Sequence, residues 1–184
     1  MRVLVVTNMY PSADRPHWGT FVKSQVDSLT AEGITNTVVE IEGWRSTRRY
    51  LDALRDLPRL ARECGADLVH AHYGLSGAAA MRVRLPLVVS FCGDDLLGRP
   101  DAQGRLSLKS RALIPLSRLA AHRADGVIVK SAAMREVIRE VPDVEVIPNG
   151  VDLDRFRPVP REAARAALGW RPDGAVLLFA ANPE

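Results

Sequence analysis

DLVHAHYGLSGAAAMRVRLPLVVSFCGDD, residues 67–95, decides the fold. DLVHAH (67–72) and PLVVSF (86–91) are short, nearly continuous apolar runs, and the segment LSGAAAMRVR between them reads as a helix. Two strands joined by a helix form a parallel crossover, and apolar runs without strict alternation belong to a sheet covered on both faces. The same rhythm extends in both directions. Upstream lie RVLVVT (2–7), the helical TFVKSQVDSLTAEG closed by Gly33, TVVEI (37–41) and a helix from about Thr47 to Glu63. Downstream lie the helical LSLKSRALIPLSRLAAHRA, DGVIVK (125–130), the helical SAAMREVIREV, and VEVI (144–147). The expected fold is α/β, a doubly wound Rossmann-like parallel sheet.

The rhythm breaks at PNGVDLDRFRPVP (148–160), whose three prolines and lack of apolar periodicity mark an ordered loop. REAARAALGW then gives a short helix stopped at Gly169, and AVLLFAAN (175–182) gives one more apolar strand. The organisation expected is a domain over 1–147, a linker with a short helix over 148–174, and the first strand of a further domain over 175–184.

Composition narrows the class. Of 184 residues, 47% are hydrophobic and 26% charged, the balance of a folded globular chain. A net charge of +3 suits an anionic substrate or an anionic membrane surface and falls short of a nucleic-acid-binding signature. The first apolar run is too short for a signal peptide or a membrane span, so a cytoplasmic protein is expected, with peripheral contact at the inner face of the membrane as a further option. Cys64 and Cys92 lack CxxC spacing and read as reduced thiols.

In a doubly wound sheet the ligand sits past the carboxyl ends of the strands. After the first strand, Gly19 and Thr20 open a helix whose free amides could meet a phosphate, though a small residue at a helix start is equally an ordinary turn. The loop fits neither the dinucleotide nor the P-loop pattern. After the third strand, His70 and His72 share one face and could share a metal, but no third ligand stands at a recognisable spacing; His72 as a cleft-lining group is preferred, and no metal is expected. After the fourth strand, Gly93 permits a sharp turn, while one of Asp94 and Asp95 could accept from sugar hydroxyls or act as a base, or else cap the following turn. Arg48, Arg55, Arg59 and Arg62 line one helical face, a solvated surface or a membrane-touching stripe, and Pro58 is expected to kink or interrupt that helix.

Five segments, in order, resemble the amino-terminal domain of glycosyltransferase family 4, retaining enzymes of the GT-B fold: RVLVVTNMYPSADRPHWGTFVKSQVDSL, DLVHAHYG, PLVVSFCGDD, ADGVIVKSAAMRE and VIPNGVDLDRFRP. The resemblance implies the N-terminal half of a GT-B fold, a nucleoside diphosphate sugar as donor substrate with no cofactor or metal, and a hydroxyl acceptor. It places Gly19 and Thr20 at the donor phosphate. His72, Tyr73, Cys92, Gly93 and Asp95 fall in the sugar or acceptor cleft, and Asn149 and Gly150 at the interdomain hinge. Family members often carry His-Gly-x-Asp after the fourth strand. Here Cys92 stands in place of the imidazole, and a thiol is a weak hydrogen-bonding group. Two other readings remain: a sugar-nucleotide epimerase of the same fold, and a binding module without catalysis.

Overall fold

The computed structural model describes residues 1–179. Its elements run β1 (Arg2–Thr7), α1 (Thr20–Ala31), β2 (Thr35–Glu40), α2 (Arg48–Glu63), β3 (Leu68–His72), α3 (Gly74–Ala80) and β4 (Leu87–Ser90). They continue with α4 (Asp94–Leu97), α5 (Leu108–Arg123), β5 (Gly126–Val129), α6 (Ala132–Val137), β6 (Val144–Val146) and α7 (Arg161–Ala167). The strands form one parallel sheet in the order β2-β1-β3-β4-β5-β6. The winding direction reverses between β1 and β3, the position where such sheets bind ligands.

Strand alternation sorts the core into two layers. Leu4, Val6, Val69, Ala71, Val89, Phe91, Val127 and Val129 face helices α2 to α6, where Leu57, Ala61, Ala79, Leu96, Ala121 and Met134 close the layer. Val3 and Val5 point the other way, onto Val22 and Val26 of α1. The His70 and His72 positions fall on this second face, because His70 is level with Val5 and with Val88, and His72 with Ser90.

Several elements differ from the sequence expectation. α2 runs unbroken through Pro58; burial of Leu57 and Ala61 on either side offsets the one backbone bond that proline removes. Arg48, Arg55, Arg59 and Arg62 are exposed, and Arg59 pairs with Glu63 at 2.7 Å. α3 ends at Ala80, well before Arg84, and α4 was not foreseen.

A compact unit spans Met1–Gly150, and a second begins at Val151. In the second unit α7 ends at a left-handed Gly169, and Arg165, 7% exposed, donates to the carbonyls of Arg171 (2.5 Å), Asp173 (2.9 Å) and Gly174 (2.6 Å). Residues 175–179 form no strand: a strand needs a neighbour for its amides and carbonyls, and no described residue pairs with them. The rest of the strand expected over 175–182, like residues 183 and 184, lies outside the described residues.

Candidate functional site

The carboxyl ends of β1, β3, β4 and β5 bring together most of the residues singled out in the sequence. Gly19 is buried, with φ 67°, and caps α1 without any side-chain cap; a Cβ there would overlap the Met9 carbonyl. Glycine is required on both counts. Thr20, the first helical residue, is exposed.

β3 ends in two imidazoles stacked 4.4 Å apart. Nε2 of His70 shares a hydrogen bond of 2.8 Å with the Ser90 hydroxyl. Burial holds His70 down at about 4, and burial together with His70 and Lys130 pushes His72 lower still. Both rings are therefore neutral at pH 7. Among the described residues no group of three ligating side chains surrounds them. Nδ1 of His72 is buried and has no hydrogen-bond partner among the described residues.

Tyr73 follows at φ 81°, a conformation costly for an aromatic residue. Its amide donates to the Ser90 carbonyl at 2.9 Å, which fixes the strain in place. Strain of this kind concentrates where a fold holds a side chain for a ligand.

The next loop holds its two carboxylates differently. Asp95 is 4% exposed, and its oxygens accept from the backbone amides of Gly74 (2.9 Å), Gly93 (2.8 Å) and Cys92 (3.1 and 3.2 Å). Burial pushes its pKa up, and these amides pull it back. Asp95 clamps the β3–α3 turn to the β4–α4 turn. Asp94 is the exposed carboxylate, and Arg99 pairs with it.

Gly93 adopts φ 133°, and no atom stands near its absent Cβ, so backbone shape alone demands glycine. The Cys92 thiol donates to the Ser90 carbonyl at 3.8 Å. Burial, with Asp95 nearby, pushes it up to about 12, so the group stays a neutral thiol. Asn149 and Gly150 are exposed, at the end of the first unit.

The sequence reading missed three residues here. Tyr50, from α2, lies where a Cβ on Gly43 would overlap its ring, and burial raises its phenol pKa. Asn8, first after β1, has a buried and unpartnered Oδ1. Lys130, first after β5, is half-buried close to both histidines and Cys92. Only their position just past a strand could have flagged Asn8 and Lys130.

A parallel sheet in this order, with its polar groups gathered past β3 and β4, is the Rossmann-like half of a GT-B fold. The family model described as Glycosyltransferase Family 4 matches residues 1–155, and the chain belongs to that family. It is similar to D-inositol 3-phosphate glycosyltransferase 2 of Catenulispora acidiphila, 35% identical over 129 residues, 61% of this chain and 29% of that protein. The D-inositol 3-phosphate glycosyltransferase of Frankia alni is 34% identical over 126 residues, 61% of this chain and 30% of that one. The match spans under a third of either relative's length. Among solved structures, sucrose-phosphate synthase from Thermosynechococcus elongatus aligns with a TM-score of 0.70 at 14% identity, covering 93% of this chain and 53% of that one. That likeness is one of fold. Among the described residues no helix is long and apolar enough to cross a membrane.

Proposed function

We propose that this chain forms the acceptor-side part of a retaining glycosyltransferase, which moves a sugar from a nucleoside diphosphate sugar to an acceptor hydroxyl. The observation that carries the reading is the family match over residues 1–155, which takes in every strand of the sheet and both clamped turns. The relatives' names make a phosphorylated cyclic polyol the first acceptor class to try.

In this reading the Gly19 turn presents the first amides of α1 to the donor diphosphate, where a helix start favours negative charge. Tyr73 and Cys92 form the wall of the sugar cleft, with the neutral His72 buried behind them. Asp95 acts as a positioning residue, holding both turns through backbone amides. Asn149 and Gly150 provide the flexible connection at which closure would exclude water. Donor binding needs neither a metal nor a further cofactor here, and contact with an anionic membrane surface would use the arginines of α2.

The test is release of nucleoside diphosphate from a panel of nucleotide-sugars by the full-length protein, with and without a phosphorylated polyol. Acceptor-dependent release from one donor is expected. Epimerisation of a donor without any acceptor would replace this reading with an epimerase, and a panel left untouched would leave a binding module. Residues 1–184 assayed alone are expected to bind without turnover.

A further inference from the structure

Among the described residues, one half-buried charge at the sheet edge makes no ion pair. Val127 and Val129 of β5 point into the core, which leaves Ile128 and the following Lys130 on the face that carries the histidines. Ser90 is level with Ile128, so one step further along the edge Cys92 comes level with Lys130. The step is visible in the backbone, where the Phe91 amide already donates to the Ile128 carbonyl at 2.8 Å. Of the chain's three lysines, Lys23 and Lys109 are exposed and Lys130 is half-buried.

Glu145 of β6, level with Ile128, is the carboxylate of the neighbouring strand on this face, and it makes no ion pair with Lys130. His70 and His72 are neutral, and Cys92 remains a thiol. Burial is the main influence on the ammonium and lowers its pKa. The other cations of this edge are taken: Arg99 by Asp94, and Arg15 by Glu40 at 3.7 Å. Among the described residues Lys130 makes neither an ion pair nor a side-chain hydrogen bond. A partly desolvated ammonium without an anion is costly, and an arriving anion removes that cost. A compact ammonium with three donors suits a phosphate, which it binds as a point charge.

We propose that Lys130 receives a phosphate group of a substrate at the carboxyl edge of the sheet, beside Cys92 and the end of β5. Whose phosphate it is rests on the transferase reading; that phosphate binds there does not. Lys130 is a binding residue for either the diphosphate of the donor or a phosphomonoester on the acceptor, and its cost when unoccupied favours the loaded site.

The experiment labels the lysines by reductive ¹³C-methylation and follows their methyl signals during titration with inorganic phosphate, glycerol phosphate and pyrophosphate at constant ionic strength. Lys130→Met assigns the signal. The Lys130 signal should shift saturably while those of Lys23 and Lys109 stay in place. By calorimetry on unlabelled protein, affinity should fall at least tenfold in Lys130→Met and recover in Lys130→Arg, with the melting temperature of each variant as a fold control. Pyrophosphate bound at least tenfold tighter than both monophosphates assigns the donor, and comparable affinities assign an acceptor monoester. A Lys130 signal that stays still at the highest probe concentration, or Lys130→Met binding as tightly as the parent, overturns the proposal. Turnover enters none of these readings, so a failed transferase assay leaves them intact.

Discussion

Two stretches of the same sheet edge are held by opposite means. Past β1 and β2 the edge is wet: the Arg15 guanidinium lies 5.8 Å from the Trp18 ring and 4.0 Å from the Trp44 ring, and the indoles are 39% and 48% exposed. Past β3 and β4 the edge is dry, with His72 1% and Asp95 4% exposed and the turns fixed by backbone amides on one carboxylate. Water screens the first set of contacts and makes each worth little. The second set has no solvent to fall back on, so each lost partner leaves a buried group unsatisfied. One strand-loop-helix plan therefore carries both a yielding rim and a rigid wall.

Acid should break the dry half first. The folded-state pKa values of His70 and His72 lie below the ordinary 6.5, so between pH 6.5 and 5 the unfolded chain binds more protons than the folded one. Stability therefore falls as pH falls through that window, by up to about 1.4 kcal/mol per pH unit for each ring, or up to about 4 kcal/mol in all. Urea unfolding at pH 7, 6 and 5 measures it. The doubly substituted protein, His70→Gln with His72→Gln, should lose most of the slope; an unchanged slope would mean that the pair is not what acid attacks.

Asp95→Asn should come next, at about 3 kcal/mol, because an amide nitrogen then faces backbone N–H donors that it cannot serve. Hydrogen exchange at Gly74 and Gly93 localises the damage. Slow exchange at both sites in the variant would show that the turns hold without the carboxylate. On the wet side Arg15→Ala should cost no more than about 1 kcal/mol. Its thermal shift should be within a few degrees of the parent, and a cost as large as that of Asp95→Asn would erase the contrast between the two stretches.

The strands were legible because RVLVVT, DLVHAH and PLVVSF are apolar runs too short for helices, and their register follows from alternation once the sheet order is set. Gly19 was legible as a helix start. Asp95 was not, since its nearest telling partner, the Gly74 amide, lies 21 residues away and belongs to another turn. Lys130 looked like the last residue of a strand, and what sets it apart is that among the described residues it makes no ion pair. Arg165 was unreadable for a related reason: its acceptors are carbonyls, which every residue has. The end of α3 at Ala80 misled because LSGAAAMRVR has helix-forming residues on both sides of the stop.

The Asp95 clamp bears on how this site can diverge. Two of its three donors belong to glycines, but the third is the amide of Cys92, whose bond is indifferent to the side chain it carries. Position 92 can accept a different side chain while the turn keeps its shape. Selection can thus change the side chain at this turn, and the scaffold beneath it need not be refolded to accommodate each change.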